Sequence, residues 1–303
     1  MKGKHMPTLL QLDTITKQYK NQLAVDHISF SIQKGEICGL VGENGAGKTT
    51  LLRILSGLIP PSSGNILKDS LYRIGALIES PALQPNLSAE GNLHYIALQL
   101  GLKDKKQMIQ KALETVGLSD VDPHKKSKDF SLGMRQRLAI AMAILDQPDF
   151  LILDEPINGL DPAGIRDMRN IILNLRENYH MTILISSHIL SELELVVDRY
   201  IIMHKGKVLR QFSKTALQQE LEEKLYLSTD KPEKTKSLLG NQEIPFQEEE
   251  DYFILPKETD IMPLITQLIH EHIELKEIFN KKIAFESYYL QLIQEGETTH
   301  ELS

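Results

Sequence analysis

Residues 42–49 read GENGAGKT, with glycines, a lysine and a threonine at the spacing that cradles phosphate groups. Each residue type answers a chemical need. Gly42, Gly45 and Gly47 let the backbone turn through conformations closed to other residues and approach an anion with no Cβ in the way. Successive N–H groups then converge as an anion nest. Lys48 has the reach and the charge for the β- and γ-phosphates of a nucleotide, and the Thr49 hydroxyl suits a place on Mg²⁺. A second pair of functional groups, Asp154-Glu155, ends an apolar run. Asp154 would hold Mg²⁺ through water, which magnesium gives up reluctantly. Glu155, next to it, is placed to orient and deprotonate a water beside the γ-phosphate, a role worth about 10²–10⁴-fold in rate.

Such groups work only where regular elements hold them. Residues 36–41 (EICGLV) read as a buried strand feeding the loop, and residues 50–55 (TLLRIL) as the helix whose N-terminal dipole faces the phosphates. Residues 150–153 (FLIL) return to the sheet and carry the acid pair at their end. Asp161-Pro162 opens a helix, with Asp as N-cap and Pro in the first turn. Residues 181–185 predict a strand, 189–197 a helix, and 200–203 with 207–209 a hairpin turning at Gly206.

Ahead of the loop, residues 8–13 and 28–32 alternate apolar and polar types as strands do. Tyr19 falls between them in the polar stretch QYKNQ, placed to stack its ring on an adenine. Residues 60–64 (PPSSG) predict a loop and 74–78 another buried strand. From about 80 to 145 helical periodicity takes over, clearest at 93–100 and 108–116, which predicts a helical insert with solvated lysines.

The bulk composition admits two domains in 303 residues, at 41% hydrophobic and 25% charged. A net charge of −7 and a pI near 5.8 leave no general basic field, so nucleic acid is not an expected partner. Cys38, the single cysteine, excludes an intrachain disulfide framework, fits a reducing compartment and reads as a small buried hydrophobe. No stretch approaches the roughly 18 apolar residues of a membrane helix and no secretory leader is apparent, which points to the cytoplasm or to a membrane reached through partners.

Past residue 212 the texture turns densely charged. Strands at 224–227, 244–247, 252–255 and 274–278 alternate with helices at 233–239 and 260–272, and a last helix is read at 285–293. That β-α-β-β-α-β order predicts a small α+β domain of the split-βαβ, ferredoxin-like kind. His270 and His272, two apart on a helix, make a poor metal pair. The expected division is a nucleotide-binding domain at 7–212 and an accessory domain at 213–303.

Two further pieces complete a resemblance. Residues 130–138 (FSLGMRQRL) resemble the signature motif of ABC (ATP-binding cassette) ATPases, usually LSGGQ before a basic-Gln-Arg run. Residues 185–188 (ISSH) resemble their switch histidine, 159–161 (GLD) their D-loop, and Tyr19 matches their adenine-stacking aromatic. All motifs stand in order over about residues 8–212. The resemblance implies an α/β P-loop NTPase cassette: a RecA-like mixed sheet core, an antiparallel β subdomain and a helical subdomain.

It also implies ATP and Mg²⁺ as cofactors, with two ATPs sandwiched in a homodimer. Tyr19, Gly42, Asn44, Gly45, Ala46, Gly47, Lys48, Thr49 and Thr50 would surround a nucleotide of their own chain. Ser131, Gly133, Met134 and Asp161 would serve across the dimer, the helix N-terminus capping the γ-phosphate. Leu132 and Met134 depart from the glycine and glutamine of the common signature. His188 would hydrogen-bond the γ-phosphate and fix water and base, joining Glu155 and Lys48 as catalytic groups. Glu79 stands where most cassettes carry a glutamine, and is expected on the metal with Thr49 and Asp154.

A cassette of this kind drives a polytopic membrane permease from the inner face of the cell membrane, docking here through residues 79–93. Residues 79–83 (ESPAL) with 131–138 (SLGMRQRL) look like the bacitracin- and lantibiotic-resistance branch, the ATPase subunits of immunity exporters. One alternative keeps the exporter but changes the cargo to a drug, lipid or polysaccharide. Another is a cassette protein acting on ribosomes or DNA, which the single cassette, the negative charge and the lack of sustained heptads disfavour.

Overall fold

A computed structural model describes residues 7–68, 72–79, 82–221, 223–282 and 284–301, the final seven by their backbone only. The chain forms two compact units, Met1–Lys214 and Thr215–Ser303.

In the first unit, β1 (Thr8–Tyr19) and β2 (Gln22–Gln33) make a long hairpin, followed by β3 (Ile37–Val41) and α1 (Lys48–Leu55). Next come β4 (Ser63–Lys68) and β5 (Ile74–Leu77), then the helical insert of α2 (Ala89–Gln99), α3 (Lys105–Thr115) and α4 (Leu132–Ala143). The chain returns through β6 (Phe150–Asp154), α5 (Pro162–Tyr179), β7 (Thr182–Ser187), α6 (Leu190–Leu193), β8 (Arg199–His204) and β9 (Lys207–Ser213). One sheet is antiparallel, in the order β2-β1-β4; the other runs β5-β6-β7-β3-β8-β9 and is parallel except for β9.

Every residue of β3, β6 and β7 is buried, as central parallel strands covered on both faces require. Their registers pair Val41 with Ser187 and Asp154 with Ser186, so the three strands end together. The phosphate loop, the acid pair and the His188 turn therefore leave the sheet at one edge, where open α/β sheets bind ligands.

The hairpin departs from the sequence expectation. Alternation stops at 13 because the ladder is irregular: register shifts flank Ile15, and Thr14 and His27 take left-handed φ of 49° and 51°. Tyr19 accordingly ends β1, paired with Gln22, and does not sit in a loop. The predicted loop at 60–64 gives way to β4, which carries mostly exposed side chains and so shows no amphipathic pattern. Its place is set by backbone pairing with β1 and by Gly64, where a Cβ would lie 2.4 Å from the Thr14 carbonyl oxygen. The helix expected at 189–197 shrinks to the single turn α6.

One core unites both sheets of this unit with α1, drawing on Leu12, Ile15, Ile28 and Ile32 as well as Leu40, Leu51, Leu52 and Phe150. Cys38 is fully buried there, and burial pushes its thiol up to about 12. With so little thiolate, native protein should resist iodoacetamide at pH 8 and react only after denaturation in guanidinium. Mass spectrometry before and after unfolding checks this; alkylation of native protein at the unfolded rate would contradict it.

After α7 (Lys214–Glu220), the second unit runs β10 (Lys224–Thr229), α8 (Pro232–Asn241), β11 (Gln247–Glu249), β12 (Tyr252–Pro256), α9 (Ile261–His270), β13 (Leu275–Lys281) and α10 (Phe285–Glu301). Its sheet is antiparallel throughout, in the order β11-β12-β10-β13, the split-βαβ arrangement. Leu225, Leu227, Phe253 and Leu255 pack on Leu239 of α8 and on Leu264 and Leu268 of α9. The strand expected at 244–247 begins instead at Gln247. Ile244 and Phe246 serve packing, not pairing, with Phe246 edge-on to Phe253 at 5.6 Å. The last helix runs eight residues beyond the expected 293, to Glu301.

Candidate functional site

The phosphate loop leaves β3 and is fastened to its surroundings. Ala46 N–H donates to the Glu43 carbonyl (3.1 Å), the Ala46 carbonyl accepts from Gly206 N–H (3.0 Å), and the Gly206 carbonyl accepts from Asp26 N–H (2.8 Å). The β8–β9 turn and β2 thus hold the loop in place. Gly42 is required by close packing, since a Cβ would lie 2.6 Å from the Met203 carbonyl oxygen. Asn44 and Gly45 are exposed at the tip, while Thr49 and Thr50 sit half-buried in the first turn of α1. That turn carries no acidic residue, so the helix N-terminus keeps its positive field for an anion.

Lys48 is buried with its Nζ turned back on the loop, donating to the carbonyls of Gly42 (2.5 Å) and Glu43 (3.2 Å). It also lies 3.6 Å from Glu155 Oε1. Thr49 Oγ1 donates to Asp154 Oδ2 at 2.9 Å, and Ser186 Oγ donates to Asp154 Oδ1 at 2.5 Å. The Glu155 N–H donates to the Ser186 hydroxyl at 3.0 Å, and Glu155 turns off the strand with a left-handed φ of 49°. That turn brings Glu155 Oε2 to His188 Nδ1 at 2.8 Å and leaves Oε1 buried, with no hydrogen bond among the described residues and the Lys48 cation nearby. A general base with one oxygen oriented by an imidazole and the other uncommitted is suited to receive a proton.

The magnesium expectation meets a partial fit. Thr49 and Asp154 present a hydroxyl and a buried carboxylate side by side, two hard oxygens of the type Mg²⁺ takes beside water and phosphate. Glu79 does not join them. Its carboxylate pairs with the guanidinium of Arg53 on α1, and among the described residues no three His, Cys, Asp or Glu side chains converge on a metal position. Glu79, expected on the metal with Thr49 and Asp154, is engaged here by Arg53; residues 80 and 81 of its segment lie outside those described.

At α4, Ser131 is the N-cap, its hydroxyl accepting from Met134 N–H at 3.2 Å. Ser131 and Leu132 are exposed and Gly133 is half-buried. Leu132 approaches Gly159, whose Cβ would lie 3.2 Å from the Leu132 side chain, and a Cβ on Gly133 would lie 3.7 Å from Leu160. Residues 132–133 and 159–160 therefore lie against each other within one chain. Asp161 caps α5 through Gly164 N–H at 3.1 Å. Tyr19 stays 45% exposed with Lys17 Nζ 5.5 Å from its ring centroid, leaving ring surface for a base.

Three residues of this region escaped the sequence reading. Ser186 locks Asp154 and Glu155 together, and its signal was a polar residue inside a wholly buried strand. Arg53 sits 26 positions from Glu79, with no local signal. Asn92, only 1% exposed on α2, accepts from Gln84 N–H (2.7 Å) and donates to the carbonyls of Ser88 (2.9 Å) and Gln84 (3.2 Å), fixing the loop expected to dock a permease.

Comparison with known proteins bears on what this site serves. The family model described as ABC transporter matches residues 25–158. The bacitracin transport ATP-binding protein BcrA of Bacillus licheniformis is 46% identical over 216 residues, 68% of this chain and 70% of that protein. The lantibiotic transport ATP-binding protein SrtF of Streptococcus pyogenes is 40% identical over 208 residues, 66% of this chain and 89% of that protein. A solved structure of the ATP binding subunit of an ABC transporter superposes with a TM-score of 0.62 at 28% identity, over 70% of this chain and 93% of its own. Identity at this level over most of a relative's length goes beyond a shared fold, and the chain belongs to the ABC transporter family as one of its ATP-binding, ATP-hydrolysing proteins.

Proposed function

We propose that the chain powers an exporter of peptide antibiotics of the bacitracin or lantibiotic kind and so confers resistance to them. The 46% identity to a bacitracin transport ATP-binding protein carries the cargo reading. The Lys48–Glu155–His188 arrangement supports the chemistry. When ATP enters the loop, Lys48 exchanges the Gly42 carbonyl and Glu155 for phosphate oxygens. Glu155 Oε1, released, accepts a proton from water as the water oxygen bonds to the γ-phosphorus. The bond from that phosphorus to the β,γ-bridging oxygen breaks, and its electron pair stays with ADP. His188 keeps the carboxylate aimed through Oε2. Mg²⁺, held by Thr49 and through water by Asp154, would neutralise phosphate charge.

Ser131 caps the N-terminus of α4 at an exposed position, which supports a head-to-tail homodimer in which this helix end covers the nucleotide of the second copy. Among the described residues no helix is long and apolar enough to cross a membrane, and the reading assigns that task to a separate polytopic permease. Leu87, Tyr95 and Leu98 are exposed at helical spacing along and just ahead of α2, an apolar stripe suited to that partner. The chain would then sit peripherally on the inner face of the membrane. Co-expression with a permease subunit that co-purifies with the chain, in a sensitive host, is expected to raise the inhibitory concentrations of bacitracin or of a lantibiotic severalfold, and Glu155→Gln to abolish the gain. An assembled, hydrolysing complex that changes neither concentration overturns the cargo assignment.

A further inference from the structure

Glu79 carries a negative charge to the rim of a pocket that must accept a triphosphate, and the structure supplies its counter-charge. Arg53 follows Thr49 by four residues, so the two share a face of α1. Thr49 reaches Asp154, and one turn further on Arg53 reaches Glu79. The pairing of Leu77 with Leu153 between β5 and β6 puts Glu79 at the same sheet edge as Asp154 and Glu155, and a left-handed φ of 62° turns it off the strand. The Glu79 carboxylate, with smaller contributions from Tyr19 and Asp154, holds the Arg53 guanidinium above its usual value. Arg53 therefore lies within the field of Asp154 as well as of its own partner.

We propose that Arg53 is a positioning residue of the nucleotide pocket: it neutralises Glu79 and holds it off the Thr49–Asp154 oxygens, so that Mg²⁺·ATP does not meet the Glu79 charge on top of those of Asp154 and Glu155. This rests on the ATPase reading above. The two acids at the end of β6 have partners of their own, Asp154 the Thr49 and Ser186 hydroxyls and Glu155 the Lys48 ammonium and His188. Arg53 and Glu79 are both substantially exposed, and a pair so placed adds little to folding. Its effect is read in ligand affinity.

The test is equilibrium binding of the fluorescent nucleotide MANT-ATP with Mg²⁺ to the purified full chain. Arg53→Met leaves Glu79 unneutralised and should weaken binding about tenfold, with the melting temperature unchanged. Arg53→Lys, which keeps the charge, should stay near wild type. Arg53→Met combined with Glu79→Gln should bind as well as Glu79→Gln alone, because a neutral amide needs no cation. The Arg53→Met defect should also shrink at high ionic strength, a response that a packing defect would not show. Wild-type affinity in Arg53→Met, or a double variant as weak as Arg53→Met, overturns the proposal while leaving the ATPase reading intact. A wild-type chain that binds no nucleotide overturns both.

Discussion

Glu155→Gln is expected to bind ATP as tightly as the wild type and to hydrolyse it about 10²–10⁴-fold more slowly. The substitution preserves shape and removes basicity. In the structure Oε2 is engaged by His188 at 2.8 Å, while Oε1 makes no hydrogen bond among the described residues and lies 3.6 Å from the Lys48 ammonium. An amide there can still meet His188 but cannot accept a proton from water. It also removes one negative charge beside the phosphates, so binding should not suffer. In the proposed homodimer the nucleotide is covered by the second copy, so a variant that keeps its ATP should accumulate as an ATP-bound pair. Phosphate release, MANT-ATP affinity and size-exclusion chromatography with and without ATP check the three parts. Turnover at the wild-type rate would move the base to another residue.

The parts of this site that were legible in the sequence are those whose chemistry allows few substitutes. A loop that wraps a phosphate needs glycines where side chains would collide, and 42–49 announces itself for that reason. Asp154-Glu155 is legible because two acids ending a buried apolar strand have a ligand as their evident use. What stayed hidden depends on contacts between distant positions. Ser186 meets Asp154 across 32 residues and Arg53 meets Glu79 across 26, and neither residue type is unusual in its own segment. The same holds for the fold. Buried β3, β6 and β7 are near-continuous apolar runs, whereas β4 owes its place to backbone pairing with β1 and to Gly64, which side-chain patterning does not record. In the second unit Ile244 and Phe246 read as strand because they are apolar and alternate, yet they fill the core from a loop.

Gly47→Ala should be far more damaging than Gly45→Ala, although both glycines have left-handed backbones. Their φ values are 99° and 87°, so an alanine is strained at either place, by about 1–2 kcal/mol. Space separates them. At Gly45 a Cβ meets nothing within 4 Å, and the cost ends with the strain. At Gly47 it would lie 2.2 Å from the Ala24 carbonyl oxygen, which belongs to the backbone of β2 and cannot rotate aside. Either β2 or the loop must move. The loop is tied through Ala46 to Gly206, and Gly206 to Asp26 two residues beyond Ala24, so displacement strains all three segments together. A total loss of about 3–4 kcal/mol for Gly47→Ala against about 1–2 for Gly45→Ala follows. Gly42→Ala should fall between them, with ordinary φ but a Cβ 2.6 Å from the Met203 carbonyl oxygen. Thermal or urea unfolding of the nucleotide-free chain reads this ranking without interference from phosphate contacts, and MANT-ATP binding should vanish in Gly47→Ala. Equal losses at 45 and 47 would mean that conformational strain alone governs the loop and that β2 yields to it.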